Sequence, residues 1–127
     1  MSARFTIPYP PSVNRYWRHP TKGKLAGRHL ISEEGRAYRT AVTAACMEQK
    51  VFKRRLEGRL EISLYLVPPD NRRRDLDNTL KGTLDAITHA GVVLDDSQFD
   101  RILITRWHRE KPEEKYGLVY VTIRKPD

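Results

Sequence analysis

Two aspartates one residue apart, Asp75 and Asp77, follow three consecutive arginines, Arg72, Arg73 and Arg74, and stand just ahead of Lys81. Where the backbone is extended, side chains at i and i+2 point to the same side. Such a carboxylate pair suits Mg²⁺, a hard cation that takes oxygen ligands in octahedral geometry, usually one or two carboxylates with waters and substrate phosphate. The adjacent arginines would hold phosphates beside that cation. Asp77, Lys81 and Asp85 recur every fourth residue and share one helix face, opposite Leu76, Leu80 and Leu84. That face has two readings. It is a solvated row with two ion pairs of about 0.3–0.5 kcal/mol each, or it places the Lys81 ammonium beside a metal-bound phosphate. In the second case Lys81 stabilises charge developing on the phosphate oxygens or positions the attacking water. A further acidic pair, Asp95 and Asp96, reads either as a turn in which Asp hydrogen-bonds locally or as a third acidic contribution to the same site.

A second constellation lies near the N-terminus, where Asn14, Arg15, Tyr16, Trp17 and Arg18 interleave aromatic, polar and basic side chains. Residues of this kind stack on exposed bases and hold phosphates of a nucleic acid; Trp17 alone fits ordinary packing under a loop equally well. None of His19, His29, His89 and His108 has metal-ligand spacing, so zinc is not expected. The single cysteine, Cys46, reads as a small packed hydrophobe rather than a nucleophile.

The elements that must position these groups follow from periodicity. Residues Arg4 to Ile7 make a short strand, stopped by prolines at 8, 10 and 11, and Asn14 to Leu30 reads as a mobile loop with Gly23 and Gly27. Ser32 is a helix N-cap with Glu33 and Glu34 in the first turn, and Tyr38, Ala41, Val42 and Ala45 form the helix's apolar stripe. Leu60, Ile62, Leu64 and Leu66 alternate with polar or half-polar residues as a half-buried strand, ended by Pro68 and Pro69. A second helix starts near Asp75 to Asn78, turns Leu76, Leu80, Leu84 and Ile87 to the core and stops at Gly91. Strands follow around Arg101 to His108 and Leu118 to Arg124, with Glu110 to Lys115 between them as a hairpin loop. The βαβαββ order implies an α+β fold, a single domain over residues 1–127 with a mixed sheet and two helices.

Lys and Arg outnumber Asp and Glu by 24 to 16, for a net charge of +8 in 127 residues. Such a surplus draws polyanions to the surface, and nucleic acid is the partner it points to. No secretory signal and no apolar run of the ~20 residues that span a bilayer is visible. The expected setting is the cytoplasm, away from membranes.

Several of these segments together resemble the RusA family of Holliday-junction resolvases. The similar stretches are Ile7 to His19, Ser32 to Tyr38, Arg72 to Asn78 and Ala90 to Asp96, in the family's order. The chain departs from the family pattern at Val13, where a second asparagine is usual, and in the loop Thr21 to Gly27. The resemblance implies a structure-selective endodeoxyribonuclease that resolves four-way junctions by paired Mg²⁺-dependent nicks, with Mn²⁺ able to substitute. It implies Asp75, Asp77, Asp96 and Lys81 as the catalytic set, the three aspartates as metal ligands, and 5′-phosphate and 3′-hydroxyl ends. It also implies a homodimer, one active site for each of two opposed strands of branched DNA. Two alternatives remain open: a non-catalytic basic DNA-binding protein whose acids cap helices, and a metal-dependent ribonuclease.

Overall fold

A computed structural model describes residues 2–108 and 117–127. Its elements are β1 (Ser2–Pro8), α1 (Val13–Tyr16), β2 (Trp17–Arg18), β3 (Leu30–Ile31), α2 (Glu33–Glu48), β4 (Leu60–Val67), α3 (Asp77–His89), a 3₁₀ turn (Asp96–Gln98), β5 (Phe99–Arg106) and β6 (Leu118–Arg124). The major elements keep the βαβαββ order of an α+β fold. The segment read as an open loop from Asn14 to Leu30 is more ordered at its ends than expected. It begins with the one-turn α1, and Trp17 and Arg18 pair with Ile31 and Leu30, so a short third helix joins the two expected.

Strand order in the main sheet is β1-β6-β4-β5. β4 runs parallel to β5 and antiparallel to β6. Parallel neighbours need a crossover, and α3 supplies it, which puts β5 at the sheet edge. β6 then pairs on the other side of β4. The expected β5–β6 hairpin is therefore corrected: β4 lies between the two strands, and Glu110 to Lys115 falls outside the described residues.

Ser32 caps α2 as its sequence suggests, its hydroxyl accepting from the Gly35 amide at 2.9 Å. The buried stripe of α2 is Gly35, Tyr38, Val42 and Cys46, while Ala41 is exposed. Cys46 packs as a small hydrophobe, and burial pushes its thiol up to about 11. α2 and α3 cover the sheet face that carries Phe5, Ile62, Leu64, Val121 and Ile123, and one core cluster joins them. Tyr65, Leu103 and Tyr120 stay exposed. Among the described residues no helix is long and apolar enough to cross a membrane.

The end of α3 fixes where the later acids go. Gly91 has φ 73°, a left-handed conformation that glycine adopts without penalty. The chain reverses there and is laced to the segment before β4 by Lys53 N–H to Ala90 O (3.0 Å), Arg55 N–H to Gly91 O (2.8 Å) and Leu56 N–H to Val92 O (3.0 Å).

Candidate active site and nucleic-acid surface

Beyond Val67, Pro68 and Pro69 the chain bends over the end of the sheet, and Asp70 organises the bend. Its carboxylate pairs with Arg74 at 2.7 Å and lies 3.7 Å from the Arg72 guanidinium, and it accepts from the Arg72 amide at 3.0 Å. The Arg74 bond, then the Arg72 amide, hold the Asp70 carboxyl down at about 2. The Arg74 guanidinium lies 5.8 Å from the Tyr9 ring centroid, and its carbonyl accepts from Arg106. The three arginines thus divide. Arg72 and Arg73 are exposed, whereas Arg74 is half-buried and braces the bend.

A pocket of about 410 Å³ opens here, lined by Tyr9, Pro10, Ser12, Arg73, Arg74, Asp75, Asn78 and Thr79. A groove of about 670 Å³ adjoins it, sharing Arg73 and Arg74 and continuing past Arg15 and Arg72. Asp75 lines the pocket, and both Asp75 and Asp77 are exposed. Neither is a helix cap: α3 begins after Leu76 with no side-chain cap bond. Among the described residues neither carboxylate is hydrogen-bonded or ion-paired, so both present free hard-oxygen donors. That donor chemistry fits Mg²⁺.

The helix face carrying Asp77, Lys81 and Asp85 is not an ion-pair ladder. Asp85 reaches across to α2, accepting from Arg39 Nε at 2.8 Å and Nη2 at 3.1 Å and from the Tyr16 hydroxyl. Lys81 is left exposed without an ion pair among the described residues, its ammonium 5.7 Å from the Trp17 ring centroid.

The N-terminal constellation splits. Asn14, Arg15 and Arg18 are exposed and available to nucleic acid. Tyr16 is fully buried, so its expected role in base stacking is corrected: it is a core residue. Its ring lies against Gly82, where an added Cβ would meet it at 2.9 Å. Burial, then its bond to Asp85, raises the pKa of its hydroxyl. Trp17 follows the packing alternative, half-buried with its ring 5.0 Å from Tyr16 and 4.6 Å from His29.

Asp95 and Asp96 have different jobs. The Asp95 side chain caps the 3₁₀ turn, accepting from the Ser97 amide at 3.1 Å, and the Ser97 bonds hold its pKa down. The buried Gln98 completes the box. It accepts from the Leu94 and Asp95 amides at 2.8 and 2.9 Å and donates to the Leu56 and Gly58 carbonyls, both at 2.9 Å. The Asp96 side chain is exposed and has no partner among the described residues.

Within one chain, Asp96 lies at the opposite end of α3 from Asp75 and Asp77. The reversal at Gly91 returns the backbone to the start of β4, where Leu60 pairs with Phe99, while Arg74 contacts Arg106 at the far end of β5. The 13 residues of α3 separate the two ends, about 20 Å at 1.5 Å per residue. Among the described residues no group of three His, Cys, Asp or Glu side chains could hold a metal ion.

Sequence reasoning missed Asp70, Arg39, Tyr9 and Gln98. Asp70 stands four residues before Arg74, a spacing visible in sequence but read only for helices. Arg39 and Gln98 meet partners 46 and 42 residues away, which no local pattern marks.

The fold and site define a basic α+β protein with free carboxylates set among arginine-lined grooves, a form suited to phosphodiester chemistry. The family described as Endodeoxyribonuclease RusA matches residues 8–124. The crossover junction endodeoxyribonuclease RusA of Enterobacteria phage HK97 is 43% identical over 105 residues, covering 81% of each chain. Those of Shigella sonnei and Escherichia coli K12 are 45% and 44% identical over 93 residues, covering 73% of this chain and 72% of theirs. The chain belongs to the RusA family of endodeoxyribonucleases.

Proposed function

We propose that this protein is a crossover junction endodeoxyribonuclease that nicks four-way DNA junctions with Mg²⁺ as cofactor. The observation that carries the reading is the pair of exposed carboxylates, Asp75 and Asp77, unpartnered among the described residues, with Asp75 lining a pocket walled by Arg73 and Arg74. Carboxylates left free at a basic groove repel DNA unless a cation lies between them and the phosphate. Asp75 and Asp77 would hold that cation. When bound, it supplies Lewis acidity at the scissile phosphate and lowers the pKa of water. Arg72 and Arg73 grip the flanking phosphates, and Arg15 and Arg18 extend the contact toward a neighbouring arm. Lys81, without a carboxylate partner among the described residues and 5.7 Å from the Trp17 ring centroid, offers its ammonium to charge developing on the phosphate oxygens.

Asp96 joins this site from a second copy of the chain. The motivation is geometric: Asp96, like Asp75 and Asp77, is exposed and unpartnered among the described residues, yet about 20 Å from them along α3. A two-fold dimer that sets the α3 start of one chain against the Asp96 turn of the other makes two complete sites, one for each opposed strand.

Four-way junction, linear duplex, single strand and RNA of matched length, each with and without Mg²⁺, test the activity. The expected result is cleavage of the junction alone, dependent on the cation. Cleavage of RNA would favour a ribonuclease, and junction binding without cleavage a non-catalytic protein. Mixing two inactive variants, Asp77→Asn and Asp96→Asn, tests the shared site. A composite site recovers nicking in the mixed dimer, because one of its two sites has both aspartates; a site built within one chain recovers nothing.

A further inference from the structure

The two edges of the main sheet are finished differently. On the outer edge of β1, Gln49 accepts from the Thr6 amide at 2.8 Å and donates to the Thr6 carbonyl at 2.6 Å. Tyr38 donates to the Pro8 carbonyl at 2.6 Å and Arg54 to that of Ser2 at 3.4 Å. That edge is closed to another strand. Among the described residues β5 pairs only with β4, and no side chain bonds the backbone of its outer edge. Its middle, Ile102-Leu103-Ile104-Thr105, is apolar or β-branched, with Ile102 at 39% and Leu103 at 49% exposure. An open eight-residue edge with an apolar middle is a template for another strand.

We propose that β5 is the dimerisation strand and that it pairs antiparallel with β5 of a second copy of this chain, joining two four-stranded sheets into one of eight. This rests on the shared-site reading above and specifies the surface that creates it. The two halves of the candidate site lie at opposite ends of β5, Asp96 before Phe99 and the Arg74–Asp77 bend beside Arg106. Antiparallel pairing about a two-fold sets the beginning of each β5 against the end of the other. Both copies of the split site therefore close in one step.

The register follows from the faces. Ile102 and Ile104 align with Ile62 and Leu64 on the helix-covered side, and Leu103 aligns with Ser63 on the open side. A two-fold perpendicular to the sheet keeps each face on its own side, and a one-residue slip would mix the faces. Leu103 opposite Leu103 of the second copy keeps the faces matched, sets Ile102 across from the partner's Ile104, and sets Asp100 across from the partner's Arg106. The two nearest alternatives that keep the faces match less well: centred on Ile102, Ile104 lies across from an aspartate and Leu103 across from an arginine, and centred on Ile104, Ile102 lies across from an arginine.

The test is a symmetric cross-link. Opposed residues of an antiparallel pair have Cα atoms about 4.5–5.5 Å apart, within the ~4.4–6.8 Å that a disulfide spans. Leu103→Cys changes an exposed side chain and leaves the core alone. Under mild oxidation it should run as a covalent dimer on a non-reducing gel, whereas Tyr120→Cys, on the same sheet face two strands inward, should not. Leu103→Glu should shift the mass from dimer to monomer by light scattering while keeping the far-ultraviolet spectrum. A dimer by mass in which Leu103→Cys fails to cross-link, or in which Tyr120→Cys cross-links as readily, overturns the interface. Junction assays on the wild-type chain separate the two ideas. Cleavage without the Leu103→Cys cross-link leaves the nuclease reading standing alone, and the cross-link without cleavage leaves the interface standing alone.

Discussion

The two ends of α3 are built in different ways. At the N-terminal end, Asp70, Arg72 and Arg74 shape an exposed bend through ion pairs, and Arg72 and Arg73 face a groove. At the C-terminal end, the buried Gln98 makes four hydrogen bonds that fix the Asp95–Asp96 turn against the start of β4. Exposed ion pairs contribute little to stability and weaken with salt, whereas an unmet buried polar group costs far more. The ion pairs of the first end can thus open at little cost, whereas the second end is held in one place.

The largest test of this contrast lies within the acidic pair. Asp96→Asn should lower junction cleavage by about 100-fold or more, the scale set by removing one group that acts on the transition state, with binding kept. Asp95→Asn should change the rate by less than about threefold, because Asn caps a helical turn as well as Asp does. Single-turnover kinetics with saturating enzyme measure both. Equal losses would mean that the cap and the free carboxylate are not distinct.

Gln98→Leu keeps the shape and removes all four bonds. Each buried donor or acceptor left unmet costs about 1–3 kcal/mol, and Gly58 and Leu94 lie near enough to the surface to recover some bonding from water. The expected destabilisation is about 2–4 kcal/mol, read as a lower urea midpoint at unchanged slope. A loss below about 1 kcal/mol would mean that the turn is held by packing instead. The same variant should lose cleavage before it loses junction binding, since the arginine groove is at the other end.

Between the two ends lies the Arg39–Asp85–Tyr16 link, half-exposed at the charged pair. Asp85→Asn should cost about 1–2 kcal/mol, above an exposed pair and below a buried one. The small helical residues explain why this link was not legible. Gly35 and Gly82 leave room for Tyr16, since a Cβ on either would collide with its backbone or ring. Two glycines inside helices were the available signal for a buried aromatic nearby, and the basic neighbours of Tyr16 outweighed it. Ser32, by contrast, was legible because a cap acts within three residues. The alternation of β4 was legible for the same local reason, but not the insertion of β4 between β5 and β6, which depends on long-range pairing. The Asp75–Asp77 spacing was readable as a pair of neighbouring carboxylates. The pair's separation from Asp96 was not, because spacing in sequence does not say which end of a helix a returning chain meets.

The smallest effects distinguish the arginines at the bend. Arg72 is 83% exposed in its side chain and Arg74 24%, so Arg72→Ala should leave stability within about 0.5 kcal/mol and reduce the salt dependence of binding by about one phosphate contact. Arg74→Ala should act on the bend itself, and Asp70 reports it. The Arg74 bond holds the folded-state pKa of Asp70 at about 2, below the ordinary ~3.9. A depressed carboxylate pKa means that the pair's contribution is fully present above the ordinary value and fades as pH falls through about 2. Carboxyl ¹³C shifts should therefore titrate near pH 2 in the wild-type chain and move up toward ~3.9 in Arg74→Ala. Some depression should persist from the Arg72 amide, which that variant keeps. An unchanged midpoint would show that the backbone bond alone sets Asp70, leaving Arg74 available for the phosphate contact proposed for its two neighbours.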